Sequence, residues 1–498
     1  MNFDKAIKKI VILGGGTAGW MSAALLQKVF GKVLNIVLVE SKEIGTIGVG
    51  EATIPAIKEF NNALGINEED FLRETKSTMK LGIQFENWGK LGDSYMHAFG
   101  DIGTSLALCP FHHFWLKAGL AGIPNNLWNY SLNYQVAKAN KFAHISRAGH
   151  LPELVNAYHF DAYLYAKYLQ KLSLQMGINR IEGLVEHIGI NPESGFVQSL
   201  TLTNGEEING DLFIDCSGFK GLLIQKKLNT GYEEWKHWLP CDRAVTVPSE
   251  RFSESLPYTR SIAREAGWQW RIPLQHRNGN GFVYNSEYYT EDQAAKVLLS
   301  NLESEISGEI KFIHFQTGCR RKHWNRNVVA IGLSSGFLEP LESTSIHLIH
   351  SAIFRLIKHF PNLVINQSEV EEYNRQSKIE FEHIRDFIIL HYYLNKRDDS
   401  QFWRDCRNMK IPDLLKHKIE LFRESGKIFR EHENLFTENA WLQVMIGQGI
   451  FPLDYHPLAG SVNSDQLKEM LSNLTNLMRS PITKMPSHDQ YITEICGG

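Results

Sequence analysis

Three glycines and one glutamate near the start of the chain have the spacing of a dinucleotide site. Gly14, Gly16 and Gly19 form the pattern G-x-G-x-x-G, and Glu40 follows 21 residues after the last glycine. In such a site the first glycine allows a tight turn, the second lets a pyrophosphate approach the backbone, and the third lets a helix pack on a strand. The free N–H groups at the helix start hold the anion. The carboxylate accepts hydrogen bonds from an adenosine ribose and disfavours a 2′-phosphate. This chemistry predicts a bound FAD or NAD.

The elements that must position these residues form a βαβ unit. Residues 10–13 are four consecutive apolar residues, typical of a short buried parallel strand. Residues 20–30 have the apolar spacing of a helix, and residues 35–39 predict a second strand that ends at Glu40. Strand, helix, second strand and terminal acid together make the glycine pattern far more specific than it is alone.

Later segments predict a return of the chain to the same cofactor. Residues 44–55 are glycine-rich and predict a loop over the nucleotide. Residues 196–203 alternate up to Asn204-Gly205, which predicts a β-hairpin, and residues 211–221 predict a strand that runs into a second glycine turn. The predicted fold class is therefore α/β, a two-dinucleotide-binding-type FAD fold with a Rossmann-like βαβ core.

Helical patterns fill much of the remaining chain. Residues 56–80 have loosely helical apolar spacing, and Lys80 at the end of this run is, from spacing alone, a surface lysine. Residues 327–331 predict a strand, and residues 346–360 predict an amphipathic helix capped by Thr344 or Ser345, whose N-terminus suits a small anion. From residue 368 the pattern is mostly helical. We expect an FAD core with interleaved substrate segments over residues 1–360 and a helical subdomain over residues 361–498.

Composition excludes several classes of partner. The 52 Lys and Arg against 55 Asp and Glu give a net charge of −3, which indicates neither nucleic acid nor an anionic membrane as a partner. The six cysteines are far apart and lack the spacing of a zinc site or a disulfide framework, so that a reduced cytosol fits best. We predict no metal. The uncharged run at residues 10–27 contains four glycines, and we read no targeting or membrane segment.

Aromatic and histidine residues crowd the segment from residue 95 to residue 128. His97 and Phe99 open this stretch, which lacks clean periodicity and is typical of the wall of a core or a pocket. Its histidines lack the spacing of a metal-ligand set, which favours structural histidines.

Two further stretches carry a family resemblance. Trp268-Gln269-Trp270-Arg271-Ile272-Pro273 matches W-x-W-x-I-P, and residues 336–344 read GFLEPLEST. Residues 48–55, 79–83, 158–161 and 215–219 add similar segments in the same order. Over about residues 8–405 the chain resembles the flavin-dependent halogenases, the family that includes the tryptophan halogenases.

The resemblance implies an activity and a set of site residues. Reduced FAD, O₂ and a halide ion, chloride or bromide, would give hypohalous acid, which Lys80 captures or hydrogen-bonds before it reaches an electron-rich aromatic substrate. Glu342 would be the second catalytic residue, placing the halogenating species or deprotonating the cationic intermediate. Thr344 and Ser345 would line the halide site. A separate NADH-dependent flavin reductase would supply the reduced FAD, and a homodimer is left open.

Other residues carried over by the resemblance surround the cofactor and the substrate. The implied substrate pocket contains His97, Phe99, Ser343 and Trp441. The implied flavin shield, which keeps organic substrate from the reactive flavin, consists of Trp268, Trp270, Ile272 and Pro273. Besides the glycines and Glu40, the implied cofactor contacts are Thr17, Ala18, Gly50, Ala52, Val185, Leu333 and Ile346.

The chain departs from the tryptophan halogenases at two places. Ser345 stands where those enzymes have a glycine, which adds a hydroxyl beside the halide and predicts a preference for bromide. Residues 433–452 lack the Tyr-Tyr pair that binds the charged backbone of tryptophan, and Trp441-Leu442 stands there instead. The segment therefore predicts an uncharged wall that suits a neutral ring such as indole, or an aromatic group on a larger molecule.

Two alternatives share the predicted cofactor. An FAD-dependent aromatic hydroxylase would use the same fold, but the strand at residues 327–331 leads into Gly332-Leu333 and lacks the Gly-Asp pair of that class. The other alternative is a flavin-binding protein without catalysis. The presence of Lys80 and Glu342, the two implied catalytic residues, argues against it.

Overall fold

The computed structural model describes residues 6–42, 50–106, 108–362, 364–431 and 434–497. The contacts divide the chain into two compact units, each assembled from three segments. Unit 1 contains Met1–Ser77, Phe160–Lys236 and His314–Glu382, and unit 2 contains Thr78–His159, His237–Ile313 and His383–Gly498. The domain boundary at residue 360 stays a prediction.

The β-strands within the described ranges are numbered in chain order. They are β1 (Lys9–Leu13), β2 (Asn35–Glu40), β3 (Gly50–Ala52), β4 (Thr78–Lys80), β5 (Gly82–Glu86), β6 (Ser94–Ala98), β7 (Ala157–Asp161), β8 (Asn179–Glu182), β9 (Val185–Ile190), β10 (Val197–Leu202), β11 (Glu207–Asn209), β12 (Leu212–Asp215), β13 (Tyr232–Glu234), β14 (Arg243–Ser249), β15 (Thr259–Arg264), β16 (Gly267–Pro273), β17 (Asn278–Tyr284), β18 (Lys311–His314), β19 (Gly318–Arg320), β20 (Trp324–Asn325), β21 (Val328–Ala330) and β22 (Gly336–Phe337).

The α-helices of the same ranges follow a parallel numbering. They are α1 (Thr17–Phe30), α2 (Ile57–Leu64), α3 (Glu68–Thr75), α4 (Phe111–Leu120), α5 (Leu132–Lys138), α6 (Ala162–Gln175), α7 (Glu291–Ser300), α8 (Ser345–Lys358), α9 (Gln367–Tyr393), α10 (Gln401–Asn408), α11 (Asp413–Ser425), α12 (Glu438–Gly447), α13 (Pro457–Gly460), α14 (Ser464–Arg479) and α15 (His488–Cys496). Short 3₁₀ turns include Gly332–Ser334 and Pro340–Glu342.

A six-stranded sheet forms the centre of unit 1, in the order β20-β21-β12-β1-β2-β8. Strand β1 pairs in parallel with β2 on one side and β12 on the other, and helix α1 connects β1 to β2. The inner strands β1, β2, β12 and β21 are mostly apolar, because both faces of a parallel sheet are covered. Val11, Val37 and Phe213 are completely buried in the core beneath the sheet. The predicted Rossmann-like βαβ unit is confirmed.

A seven-stranded sheet dominates unit 2, in the order β18-β14-β17-β16-β15-β5-β6. Strand β16 lies near its middle between two antiparallel neighbours, β15 and β17. On one side of β14 and β17 the apolar side chains pack against Ala294 and Leu298 of α7. This sheet carries the W-x-W-x-I-P stretch.

Two expectations about local structure are wrong. The predicted single helix over residues 56–80 is two short helices and a strand, because Gly65 ends α2 in the left-handed conformation and Asn67 caps a new helix. Lys80 is consequently the last residue of strand β4. Part of the loop predicted over residues 44–55 is strand β3, and residues 43–49 lie outside the described residues.

Other expectations are confirmed. The predicted hairpin at Asn204-Gly205 joins the antiparallel strands β10 and β11. The C-terminal part from residue 367 onward is built from helices. Within the described residues, no helix combines the length and the apolar character needed to span a bilayer.

Candidate active site

The turn between β1 and α1 leaves room for an anion at one defined point. Gly14 has a positive φ of 116°, and a Cβ there would lie 2.3 Å from the carbonyl oxygen of Cys216. A Cβ on Gly19 would lie 1.8 Å from the carbonyl oxygen of Gly14, whereas a Cβ on Gly16 would meet no heavy atom within 4 Å. Gly14 and Gly19 are thus required by close packing, and the backbone at Gly16 is open.

The N-terminus of α1 has the properties of a phosphate site. No side chain caps the helix, and its first turn contains no acidic residue. The first N–H groups of a helix have no carbonyl partner within it, and together with the helix dipole they favour an anion. Thr17 and Ala18 belong to this first turn.

Glu40 at the end of β2 is held in place by three donors. Its carboxylate accepts hydrogen bonds from Trp20 Nε1 at 3.3 Å, Gln170 Nε2 at 3.1 Å and Arg180 Nε at 2.6 Å. The hydrogen bond to Glu40 also raises the pKa of Arg180. The three donors fix the orientation of the carboxylate and leave lone pairs that can accept hydrogen bonds from a ribose diol. Arg180 and Gln170 were not recognised from the sequence, because they come from β8 and α6 far along the chain.

A third segment of unit 1 approaches the start of α1. Gly332, in a left-handed conformation, would place a Cβ 2.7 Å from the Cβ of Ala18 and 3.7 Å from a side-chain atom of Ile349 on α8. The turn that contains Leu333 therefore lies against both helices. Ile346 is buried in the first turn of α8. These contacts bring the start of α1, the turn at Gly332 and helix α8 together.

The remaining predicted cofactor residues lie elsewhere in unit 1. Gly50 and Ala52 form the two ends of β3. Val185 opens β9 and packs against the apolar cluster beneath the six-stranded sheet. The open backbone at Gly16, the uncapped α1 and the oriented Glu40 fit the ADP half of FAD.

The segment before α8 forms a second uncapped helix start. Glu342 ends the 3₁₀ turn Pro340–Glu342 and is only 1% exposed, and Ser343 follows in the left-handed conformation with φ of 60°. Thr344 precedes α8 with helical rather than extended backbone angles, so that its hydroxyl makes no capping hydrogen bond. Its Oγ1 is buried without a partner. An unpartnered hydroxyl beside free helix N–H groups and Ser345 fits a small anion.

Lys80 belongs to unit 2 and is completely buried. It ends strand β4, which pairs antiparallel with β7, and the small Ala157 stands opposite it. Its Nζ lies 5.4 Å from the ring centre of Phe99, within the range of a cation–π contact. The surface position expected from spacing alone is wrong. Because a buried ammonium group is costly, such a lysine is a candidate for function.

A buried histidine beside Lys80 ties this strand to its surroundings. His159 bonds through Nδ1 to Thr78 Oγ1 and through Nε2 to Thr259 Oγ1, both at 3.0 Å, and Thr78 Oγ1 donates to the carbonyl of Pro273 at 2.7 Å. Burial, together with the charge of Lys80, holds the pKa of His159 well below its usual value. The neutral ring therefore links Lys80's strand to the start of β15, and Thr78 itself links that strand to the end of β16. Had strand β4 been predicted, Thr78 could have been recognised from the sequence as a neighbour of Lys80, because residues two apart in a strand share one face.

Aromatic rings form a wall within unit 2. The ring centres of His97 and Phe99 are 6.5 Å apart, and both side chains are buried. Phe387 lies 5.7 Å from His97 and 5.0 Å from Trp441, and it stacks on Phe436 at 3.8 Å. The structure thus joins three predicted pocket residues through two aromatic residues that the sequence did not single out. Ser343, the fourth, belongs to unit 1.

A pair of charged residues lies beside the aromatic wall. Lys418 Nζ lies 4.8 Å from the ring centre of Trp441 and 3.7 Å from a carboxylate oxygen of Glu431. Burial lowers the pKa of Lys418, and the charge of Glu431 opposes that shift. Both charged residues precede residues 433–452, so that the uncharged wall predicted for that segment stays a prediction. Glu433 itself lies outside the described residues.

The predicted flavin shield is a continuous stretch of β16. Trp268, Trp270 and Ile272 alternate along the strand and therefore share one face, and all three are buried with Pro273. A Cβ on Gly281 of the neighbouring strand would lie 2.0 Å from the ring of Trp270, so that only glycine leaves room for this indole. The stretch is a rigid apolar surface. No group of three potential metal-ligating side chains occurs in the described ranges.

Comparison with known proteins identifies the class to which this fold and these residues belong. The sequence matches the family described as tryptophan halogenase over residues 9–464. It is 34% identical to the tryptophan 6-halogenase ThaL of Streptomyces albogriseolus, over 90% of this chain and 91% of that protein. The structure resembles Xcc4156, a flavin-dependent halogenase from Xanthomonas campestris, with a TM-score of 0.96, 45% identity and 99% of each chain covered.

A second solved structure supports the same class. BrvH, a flavin-dependent halogenase from Brevundimonas sp. BAL3, has a TM-score of 0.95 and 42% identity, over 99% of this chain and all of that chain. The protein is a flavin-dependent enzyme with an FAD-type fold. The chain belongs to the tryptophan halogenase family. The predicted resemblance, fold class and halogenase activity are confirmed.

Proposed function

We propose that the protein uses FADH₂, O₂ and a halide ion to halogenate a neutral, electron-rich aromatic compound such as indole. The buried Lys80 beside Phe99 and the aromatic wall is the observation that carries this proposal. When bound, reduced FAD would activate O₂, the oxidant that converts halide into hypohalous acid while its second oxygen atom leaves as water. The protein's own residues bind the ions, exclude water and guide the halogen.

Unit 1 supplies the residues for the cofactor and the halide. The start of α1 and Glu40 hold the ADP half of FAD, with Leu333 and Ile346 as further contacts. Gly50, Ala52 and Val185 are proposed contacts whose role rests on the family resemblance. The free N–H groups of α8 and the hydroxyls of Thr344 and Ser345 bind the halide. Glu342, a buried carboxylate, accepts the proton that the ring loses after halogenation.

Unit 2 supplies the lysine and the aromatic surfaces. Lys80 donates a hydrogen bond from Nζ to the oxygen of hypohalous acid and orients its halogen, which a point-charge donor does well. His97, Phe99 and Trp441 stack with the substrate ring, and Ser343 of unit 1 is a further proposed contact. The face of Trp268, Trp270 and Ile272, continued by Pro273, keeps the organic substrate away from the flavin.

A separate NADH-dependent reductase supplies the reduced flavin in this proposal. The glycine turn of α1 is the nucleotide site that the sequence predicts, and membership of a flavin-dependent family supports its use for FAD. The six cysteines all lie within the described residues and form no disulfide there, which suits a reduced cytosolic setting. A homodimer stays a prediction.

The test uses purified protein with FAD, NADH, bromide and a panel of aromatic compounds, with and without a flavin reductase. We expect halogenated products, recognised by the bromine isotope pattern in mass spectrometry, only when the reductase is present. Full product formation without the reductase would contradict the two-component proposal. Hydroxylated products without halogen would instead favour the aromatic hydroxylase.

A further inference from the structure

A partly buried polar cluster connects the first turn of α8 to the long helix α9. His347 Nε2 bonds to Glu380 Oε1 at 2.9 Å, and Ser351 Oγ and Arg355 Nη2 donate to the same carboxylate at 2.6 and 2.7 Å. His350 Nε2 bonds to His347 Nδ1 at 2.9 Å. All these residues belong to unit 1.

The hydrogen bonds fix which nitrogen of His347 carries the proton. Burial raises the pKa of Glu380, but its bonds to His347, Arg355 and Ser351 outweigh burial and hold the pKa below its usual value. The carboxylate therefore only accepts, and His347 must donate from Nε2. His347 Nδ1 then accepts from His350 Nε2. Burial lowers the pKa of His350 to about 3, and its other nitrogen is buried without a partner, as expected for a neutral ring.

His347 lies in the first turn of α8, so that its bond to Glu380 acts on the N-terminus of this helix. Ser345, Ile346 and His347 are the first three residues of α8, and their N–H groups lack a carbonyl partner within the helix. Helix ends fray when nothing holds them, and α8 has no side-chain cap. The bond from His347 to Glu380 is therefore an anchor that keeps the three N–H groups aligned.

We infer that His347, held by Glu380, is a positioning residue for the halide site at the start of α8. The inference rests on the proposed function of Thr344 and Ser345, whose halide this turn would bind. A single ion makes few contacts, so that its affinity depends strongly on how well its donors are pre-organised. Loss of the anchor should raise the KM for halide and leave the maximal rate and the KM for the aromatic compound nearly unchanged.

The first readout is steady-state bromination of indole as a function of bromide concentration. His347→Leu should raise the KM for bromide at least about fivefold, with kcat at saturating bromide within about twofold of the unaltered protein. His347→Gln should restore the KM, because a glutamine amide can still donate to Glu380. Ser351→Ala is the matched control. It removes a neutral donor to the same carboxylate one turn later and should leave the KM unchanged.

The second readout needs no turnover. Bromide should raise the melting temperature of the FAD-loaded protein relative to gluconate at equal ionic strength, and His347→Leu should reduce this rise. His347→Asn, whose side chain is too short to reach Glu380, repeats both tests if the leucine variant does not fold.

The outcomes separate the inference from the proposed function. An unchanged KM for bromide in His347→Leu, or an equal rise in Ser351→Ala, would overturn the positioning role. If the unaltered protein makes no halogenated product but shows the bromide-dependent melting and its loss in His347→Leu, the proposed function fails and the inference stands. Absence of any bromide effect on melting would overturn the anion site itself.

Discussion

The proposed halide preference depends on the side chain at position 345, in the first turn of α8. Ser345 is partly exposed at the first position of the helix, next to the unpartnered hydroxyl of Thr344. A serine narrows the space and adds a dipole beside the ion. A large, weakly hydrated anion loses less hydration free energy on entering such a site than a small one.

Ser345→Gly should therefore shift the halide preference towards chloride. We expect the ratio of kcat/KM for chloride to that for bromide to rise about tenfold, which corresponds to about 1.4 kcal/mol. Competition between the two halides, read from the isotope pattern of the products, measures this ratio directly. A ratio that stays constant or falls would show that the serine does not set the preference.

Lys80 shows how tertiary structure decides the role of a residue. Its neighbours give no sign of burial, yet β4 places it opposite Ala157 and beside His159. Thr78 and Lys80 point to the same face of the strand, because side chains alternate. His159 accordingly bonds to Thr78, and the nearby charge of Lys80 helps to hold the pKa of His159 well below its usual value.

At the scale of elements, the turn between β1 and α1 needs glycine for two different reasons, room for the cofactor at Gly16 and close packing at Gly19. A side chain on Gly16 would meet no protein atom, whereas one on Gly19 would overlap the carbonyl of Gly14. Gly16→Ala should leave the melting temperature of the flavin-free protein nearly unchanged but weaken FAD binding about tenfold, because its methyl group occupies the space of the pyrophosphate. Fluorescence titration of FAD and thermal melting measure the two effects.

Gly19→Ala is the matched comparison. The overlap must move backbone atoms, so that we expect the melting temperature to fall by several degrees, with about 1–3 kcal/mol lost. If Gly16→Ala bound FAD as tightly as the unaltered protein, the pyrophosphate would not lie at this turn.

The elements that the sequence predicts well are those whose signal is local. The β1-α1-β2 unit, the hairpin at Asn204-Gly205 and the helix at α8 each carry their own apolar spacing and turn residues. The helix predicted over residues 56–80 fails because Gly65 and Asn67 interrupt it, and both are ordinary stop and start signals that the loose apolar spacing obscured.

The candidate active site can be predicted only in part from the sequence, because many of its residues come from distant parts of the chain. Motifs identify Lys80, Glu342 and the tryptophans of β16, because these residues lie in short continuous stretches. The partners that orient a functional group come from distant segments, as Arg180 does for Glu40 and Glu380 does for His347. No periodicity along the chain records such pairs, and only the fold brings them together.

At the scale of the whole molecule, the choice of substrate follows from which charges the protein can pair. Free tryptophan carries an ammonium and a carboxylate, and both need partners when they leave water. The wall of His97, Phe99 and Trp441 offers ring stacking, and the cation Lys418 is already matched by Glu431. Indole should therefore be halogenated more than about tenfold faster than tryptophan at equal concentration. A clear preference for tryptophan would contradict this assignment.

Buried neutral histidines give the fold a predictable dependence on pH. Burial lowers the pKa of His323 and His350 to about 3 and that of His159 well below its usual value. Below about pH 6.5 the unfolded chain binds protons at these rings, and the folded protein does not. The free energy of unfolding is therefore unaffected above this pH, and it decreases as the pH falls towards the pKa values of the rings in the folded protein. Each ring contributes a slope of about 1.4 kcal/mol per pH unit.

The carboxyl group of Glu51 has the opposite effect on the dependence of stability on pH. Burial raises the pKa of Glu51 to about 7, and its contribution to stability is lost as pH rises from about 4.5 to 7. The three imidazoles together outweigh Glu51, and we expect the melting temperature to fall by about 2 °C between about pH 7.5 and 5.5. His323→Phe should lessen this fall, because a phenyl ring stacks on Phe381 without taking up a proton. A melting temperature that rises on acidification would contradict the assignment of neutral rings.

The yield of halogenated product from a Lys80 variant tests the proposed function most directly. Lys80→Met keeps the length and the burial of the side chain and removes only the ammonium group. With FAD, reductase, NADH, bromide and indole, we predict a loss of product of at least about a hundredfold, the scale of a lost proton donor or orienting group. FAD binding and NADH consumption by the reductase should not change. Product at the level of the unaltered protein, from a folded Lys80→Met variant, would contradict the account.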